Sequence, residues 1–257
     1  MTNPDTEAHS TAEAPRRIDG QIRPDVAAIW EKTYPDFDID AFVKHVAAIA
    51  QPDMHVLEIG AGSGEGQQAR FALKGRVARY VGVDLDPRVE TNRHLDEGRL
   101  ADAAKLPFPD ASFDLVFHKM VAEHLEHPGA AMSEAARVLK PGGRLLFETP
   151  SRFYYPMLIS RVTPLGLHRL IVGRLGSGRI EADVFPTFYR LNDRGTIQAH
   201  AQEAGLEATV QFRSNPPGYL RFHPLAFRLG VAYERSIERW FEALRAVIWA
   251  DARKPVR

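Results

Sequence analysis

The 257-residue chain contains no cysteine. That excludes disulfides, thiolate zinc sites and a cysteine nucleophile, and it fits a reducing compartment such as the cytoplasm. No apolar run approaches the length of a membrane-spanning helix, so none is expected. Residues 1–15 are polar, with Asp5, Glu7 and Glu13 and no apolar centre, which does not describe a secretory signal. Residues 1–20 read as a disordered tail. Net charge is lacking as well, since 33 basic residues balance 33 acidic ones. The balance is not local. Residues 1–150 hold 17 Lys+Arg and 24 Asp+Glu, a net of −7, whereas residues 151–257 hold 16 and 9, a net of +7. Acid is scarcest over residues 151–180, which carry five arginines and no Asp or Glu. The asymmetry points to an anionic substrate or membrane surface meeting the second half, or to charge complementarity within one folded chain.

What is present centres on Val56-Leu57-Glu58-Ile59-Gly60-Ala61-Gly62-Ser63-Gly64. This reads as a buried strand running into a glycine-rich turn, where missing Cβ atoms let the backbone turn tightly and approach a ligand. Asp84 follows 20 positions after Gly64, at the end of a second strand, Tyr80-Val81-Gly82-Val83. An acid at that spacing can accept hydrogen bonds from ribose hydroxyls. The dinucleotide pattern G-x-G-x-x-G fails, because counting six positions from Gly60 reaches Glu65 and from Gly62 reaches Gln67. The carboxylate of Glu58 would repel a pyrophosphate and tolerate a cationic ligand.

On these residues the chain resembles the class I S-adenosylmethionine-dependent methyltransferases of the type 11 kind. VLEIGAGSG resembles that family's first motif, and Val81-Gly82-Val83-Asp84-Leu85-Asp86-Pro87 its second strand and ribose-binding acid. Further likenesses follow in order: Leu100 to Asp110 for the adenine edge, Ser112 to Phe117 for the fourth strand, and Leu139 to Phe147 for the turn into the fifth. The resemblance implies S-adenosyl-L-methionine as cofactor. It implies a cofactor site formed by Glu58, Gly60, Ala61, Gly62, Gly64, Asp84, Leu85, Asp102, Ala103 and His118. Asp86 stands where it could cap a following helix at Pro87.

The expected fold is α/β, a Rossmann-like seven-stranded mostly parallel sheet with helices on both faces and the last strand antiparallel near an edge. Strands are expected near 54–59, 79–83, 98–101, 113–117 and 144–149, then over Glu207 to Arg213 and Ala246 to Ala252. Helices are expected within 24–50 and near 65–73, 87–95, 128–139 and 192–205, the last opened by Asn192 or Asp193 and closed by Gly205. Residues 21–257 read as one methyltransferase domain with two insertions, 151–186 and 214–245. Both insertions interleave arginines with apolar residues, which suggests a lid over the site or contact with an anionic membrane surface.

The resemblance implies a methyl acceptor that is a small molecule, a glycan or a lipid-linked molecule, with oxygen the favoured atom. C-methylation of a quinone-type ring and a non-catalytic module that keeps the cofactor remain alternatives. Nucleic acid is not expected, since no strongly basic domain stands apart and no N-P-P-aromatic tetrad follows the fourth strand. Nothing in the sequence sets an oligomeric state. Glu123 and His124 follow the fourth strand, where the reaction centre opens in this fold, and a histidine titrates in the range a general base needs. No metal is expected there, because His124 and His127 are three apart whereas H-E-x-x-H needs four. Asp183-Val184-Phe185-Pro186-Thr187-Phe188-Tyr189-Arg190 offers Tyr189 and Arg190 to a polar or anionic acceptor, or serves as a loop anchoring the lid.

Overall fold

The computed structural model describes residues 23–65, 71–162 and 186–256. The tail expected over residues 1–20 lies outside them, as do most of the helix expected over 65–73 and the greater part of the first insertion.

Seven strands form one sheet: β1 (His55–Ile59), β2 (Arg79–Asp84), β3 (Glu97–Leu100), β4 (Phe113–Lys119), β5 (Leu139–Pro150), β6 (Glu207–Arg213) and β7 (Val247–Arg253). Their order is β3-β2-β1-β4-β5-β7-β6. The first five run parallel and β7 is antiparallel to both β5 and β6. The order reverses between β1 and β4, so a crevice opens at the carboxyl ends of these strands, where ligands bind in open α/β sheets.

The central strands are continuous apolar runs because both faces are covered. On one face Leu57, Ile59, Val81, Val83 and Val116 pack under α3 (Pro128–Val138) and α5 (Arg194–Glu203); on the other Val56, Tyr80, Leu115, Phe117 and Leu146 meet Phe42, Val43 and Val46 of α2 (Ala41–Ile49). α5 is capped by Asp193, whose carboxylate accepts from Thr196 N at 2.9 Å, and the chain leaves it through Gly205 at φ +74°.

Two elements differ from expectation. The segment after β2 is a 3-10 turn over Pro87–Thr91, not a helix to residue 95. Asp86 caps it, accepting from Arg88 N at 2.9 Å, and the side chain of Asn92 then turns the chain by accepting from His94 N at 2.9 Å. Gly98 of β3 also lies so near Val89 O that a Cβ would sit 1.9 Å from it, leaving no space to extend the turn. β5 begins at Leu139, five residues early, because Gly142 at φ +81° lets the Lys140-Pro141-Gly142-Gly143 stretch follow the β4 edge past an irregularity between Phe113 and Leu115.

The insertions are helical where described. α4 (Tyr155–Val162) follows β5, and α6 (Pro224–Trp240) fills the link between β6 and β7. α6 turns Phe227, Gly230, Val231, Glu234 and Ile237 inward. α1 (Pro24–Thr33) lies against it, with Trp30 stacked on Phe227 at 5.7 Å. No described helix is long and apolar enough to cross a membrane.

Candidate active site

The turn after β1 places Gly60, Gly62 and Gly64 at φ +78°, +55° and +76°, values that disfavour any residue with a Cβ. The N–H groups of Gly60 and Ala61 both donate to Val83 O, at 2.8 and 3.2 Å. Asp84 then joins the two strand ends. One carboxylate oxygen accepts from Gly62 N at 2.8 Å and the other from Asp86 N at 2.8 Å. Each oxygen keeps a second lone pair for a ligand hydroxyl.

Asn92 completes the turn, and sequence reasoning missed it. Its Nδ2 donates to Ala61 O and Gly62 O, each at 3.2 Å, and the side chain is buried. A Cβ on Gly64 would sit 2.2 Å from Asn92 Oδ1, so this glycine is needed for space as well as for φ. The only sequence signal for Asn92 is an amide-bearing residue just past a short Pro-led turn.

Glu58 is tied to the neighbouring strand. Its buried carboxyl accepts a hydrogen bond from the Tyr80 hydroxyl on the neighbouring strand. Burial pushes its pKa up to about 8, opposed by the Tyr80 bond and helped by the Asp84 charge, so the carboxyl is protonated at neutral pH. Burial likewise drives the Tyr80 hydroxyl upward, which keeps it a donor.

Beyond Asp84, β2 and β3 end side by side and present two leucines to solvent, Leu85 at 59% and Leu100 at 52% exposure. Exposed apolar side chains beside a carboxylate suit a flat ring joined to a sugar. Asp102 is exposed and caps its own turn through Ala104 N at 2.8 Å, while Ala103 is buried beneath it.

At the end of β4, His118 is buried and stacks on Phe147 at 4.6 Å. Burial lowers its pKa to about 3, and its Nδ1 has no hydrogen-bond partner among the described residues. It lines a small core gap with Ile59, Val121, Met132, Leu145 and Leu191. Val121 separates that gap from the turn, since its Cγ2 stands 2.3 Å from where a Gly60 Cβ would be. Met120 holds φ +54°, an uncommon conformation for its residue type, at the mouth of the crevice.

Glu123 and His124 sit in a 3-10 turn over Ala122–His124. Glu123 is buried and accepts from Thr149 Oγ1 at 3.1 Å, and Asn192 Nδ2 donates to that same hydroxyl oxygen at 2.7 Å. Glu123 O accepts from Phe188 N and Tyr189 N, at 2.7 and 3.2 Å, which ties the 186–190 segment to the end of β4. His124 Nδ1 lies 2.9 Å from Pro186 O. A carbonyl oxygen can only accept, so Nδ1 carries the proton and Nε2 is the basic nitrogen. Tyr189 stands at φ +53° and donates its hydroxyl to Met157 Sδ at 3.0 Å. Arg190 donates to Glu126 O at 2.5 Å and lies over the Phe188 ring at 5.1 Å. Among the described residues no group of three His, Asp or Glu is placed to hold a metal ion.

Residues 57–147 match the family model described as "Methyltransferase domain". Over these residues the chain carries an S-adenosylmethionine-dependent methyltransferase domain. Its curated relatives include the ubiquinone/menaquinone biosynthesis C-methyltransferase UbiE of Laribacter hongkongensis, 36% identical over 42% of this chain and 47% of that protein. The enzyme of the same name from Paraburkholderia phymatum is 35% identical over 43% and 49%. The chain therefore spans about half the length of the curated relatives it matches. Among solved structures, the phosphoethanolamine N-methyltransferase 2 of Haemonchus contortus with S-adenosyl-L-methionine aligns at TM-score 0.54 and 18% identity, over 90% of this chain and 56% of that one. The (4+2)-cyclase SpnF aligns at TM-score 0.53 and 19% identity, over 85% and 81%. These two show the fold.

The matched residues run from β1 into β5 and include the turn after β1. The 91-residue match stops before α4, the 186–190 segment and α6. Asp84, the glycine turn and the exposed leucines form a carboxylate-lined, partly apolar edge, which fits a ligand with a ribose and a flat base. Thr149 and Asn192, the supports of Glu123, were missed by sequence reasoning, because Asn192 is distant in sequence and reads there as a helix cap.

Proposed function

We propose that this chain transfers the methyl group of S-adenosyl-L-methionine to a small-molecule, glycan or lipid-linked acceptor, at oxygen. The observation that carries the reading is Asp84, which bonds the turn at Gly62 N and faces the crevice beside Leu85 and Leu100. When bound, the cofactor supplies a methyl group already activated on a sulfonium, so the protein mainly aligns and excludes water. Gly60, Ala61, Gly62 and Gly64 bound the methionyl side, Asp84 accepts from the ribose hydroxyls, and Leu85, Asp102 and Ala103 border the base. Glu58 acts on this site through Tyr80 and the β1–β2 pairing. His118 acts through packing.

His124 would be the general base, its Nε2 taking the acceptor's hydroxyl proton when the methyl group is transferred. Its Nδ1–H bond to Pro186 O supports this tautomer. Glu123 holds that turn from beneath, and Tyr189 and Arg190 border the acceptor. The name of the curated relatives favours a second reading, methylation at carbon. A base is needed there too.

The α6 surface supports a partner. Its outward face carries Trp240 at 71% and Leu229 at 63% exposure with exposed Leu225, flanked by exposed Arg228, Arg235 and Arg239. An exposed apolar stripe with basic flanks suits an anionic membrane surface. Residues 21–257 act together as one domain in this reading, with α4 and α6 on the acceptor side.

The test is thermal melting with S-adenosylhomocysteine on wild type and Asp84→Ala. Ligand at a hundred times its dissociation constant stabilises by about 2.7 kcal/mol, a shift of roughly 5–10 °C. A shift in wild type that Asp84→Ala abolishes supports the reading. No shift at saturating ligand ends it.

A further inference from the structure

Five of the seven tyrosines gather where α1, α4 and α6 meet: Tyr34, Tyr154, Tyr155, Tyr219 and Tyr233. At their centre is Glu234, 2% exposed on the inward face of α6. Tyr154 and Tyr155 meet ring to ring at 4.7 Å, and Tyr155 and Tyr233 at 5.4 Å. Tyr154 approaches the carboxyl closely enough to favour its charge, yet among the described residues neither Glu234 oxygen completes a well-aligned hydrogen bond. Among the described residues the buried Tyr34 hydroxyl has no hydrogen-bond partner, and the buried Tyr155 hydroxyl meets that of Tyr154 without a well-aligned hydrogen bond. Four buried polar atoms that lack a well-aligned partner among the described residues thus gather in one joint, and folded proteins pair such groups with protein, water or ligand.

The chemistry of the four atoms selects the occupant. A carboxylate supplies one negative charge, ring faces attract a cation, and two hydroxyl oxygens accept hydrogen bonds. An ammonium has three N–H donors to match them. Tyr154 and Tyr155 lie just past Pro150, the last residue of β5, on the edge of the sheet where the crevice opens.

We propose that the joint of α1, α4 and α6 binds an alkylammonium group, held by the Glu234 carboxylate and the hydroxyls of Tyr34 and Tyr155. As an anchor for a methyl acceptor carrying a cationic amine, it rests on the methyltransferase reading; as a binding site it does not. Entry requires α1 to yield, and α1 is held to α6 by a small cluster of Val26, Trp30, Phe227 and Val231. Burial raises Glu234 to about 7, helped by the Glu238 charge, so binding strengthens from pH 6 to pH 8 as the carboxylate forms. Burial and the nearby Glu234 charge raise the Tyr34, Tyr154, Tyr155 and Tyr233 hydroxyls, which stay neutral over that range.

The probe is n-butylammonium chloride, with sodium chloride at equal ionic strength as control, read by calorimetry and by melting with and without S-adenosylhomocysteine. Wild type should bind the amine more tightly at pH 8 than at pH 6, and more tightly than tetramethylammonium, which cannot donate. Glu234→Gln should weaken it about thirtyfold or more, and Tyr155→Phe about tenfold. Both variants should keep the S-adenosylhomocysteine shift. Amine binding that is absent from wild type, or unchanged in both variants, overturns the site and leaves water as the occupant. Loss of the S-adenosylhomocysteine shift alone overturns the methyltransferase reading and not this one.

Discussion

The two ends of the crevice are built from different materials. On the β1–β2 side the site is mostly backbone: carbonyls, N–H groups and glycines at positive φ, fastened by Asp84 and Asn92 with their hydrogen bonds made. On the β5–α6 side it is mostly side chain, with tyrosines, arginines, exposed leucines and a buried carboxyl that makes no well-aligned hydrogen bond among the described residues. A satisfied backbone site is preorganised for one ligand shape, whereas orphaned and exposed groups mark a surface completed by something else. The side proposed for the cofactor is thus fixed by bonds already made, and the side proposed for the acceptor is left for a ligand to complete.

Breaking the shared core should cost most and spare neither side. Phe117→Ala removes a fully buried ring that packs on Phe71 and Tyr80, and should lower unfolding free energy by about 3–5 kcal/mol in urea titration. Asn92→Ala should cost about 1–3 kcal/mol and weaken S-adenosylhomocysteine binding about tenfold, while leaving butylammonium affinity unchanged. An equal loss for both ligands would show that the two sides are one cooperative unit.

A pH titration sharpens the contrast further. Glu58 has a folded pKa of about 8, above its ordinary value, so its contribution is complete below the ordinary carboxylate range and is lost as pH rises towards 8. His118 works oppositely. Its folded pKa of about 3 is depressed, so its contribution is present above the ordinary histidine value and is lost as pH falls towards 3. Glu58→Gln keeps an acceptor for Tyr80 and should flatten the alkaline fall, and His118→Phe should flatten the acid one. Denaturation midpoints across pH 4–9, taken as about the working range, check both. The smallest stability effect belongs to Leu229→Glu, within about 0.5 kcal/mol because the side chain is exposed. It should nevertheless release the protein from anionic vesicles that sediment wild type at low salt. Wild type that stays in the supernatant would remove the membrane partner.

The legible parts were local. The glycine turn, Asp84 at its spacing and the Asp86 and Asp193 caps are written in contiguous residues, and alternating strands and helices allow few sheet orders. Asp86 and Asp193 do cap their elements. The length of the 87–95 helix was misjudged because what ends it is the approach of Gly98 to Val89 O, a tertiary contact. Glu58 reads as part of a ligand motif by position, and only strand pairing reveals that Tyr80 has claimed its carboxyl.

From residue order alone follow the parallel sheet, the glycine turn, the acid that closes it, and the basic apolar character of the second half, because each rests on periodicity, short spacing or composition. Tertiary structure alone decided that His118 is a core residue held neutral, that Thr149 and Asn192 support Glu123, and that Glu234 is buried among tyrosines on or beside three helices. The reason is physical. Hydrogen bonding and desolvation depend on which side chains meet across the fold, and no local pattern encodes a meeting between residues two hundred positions apart.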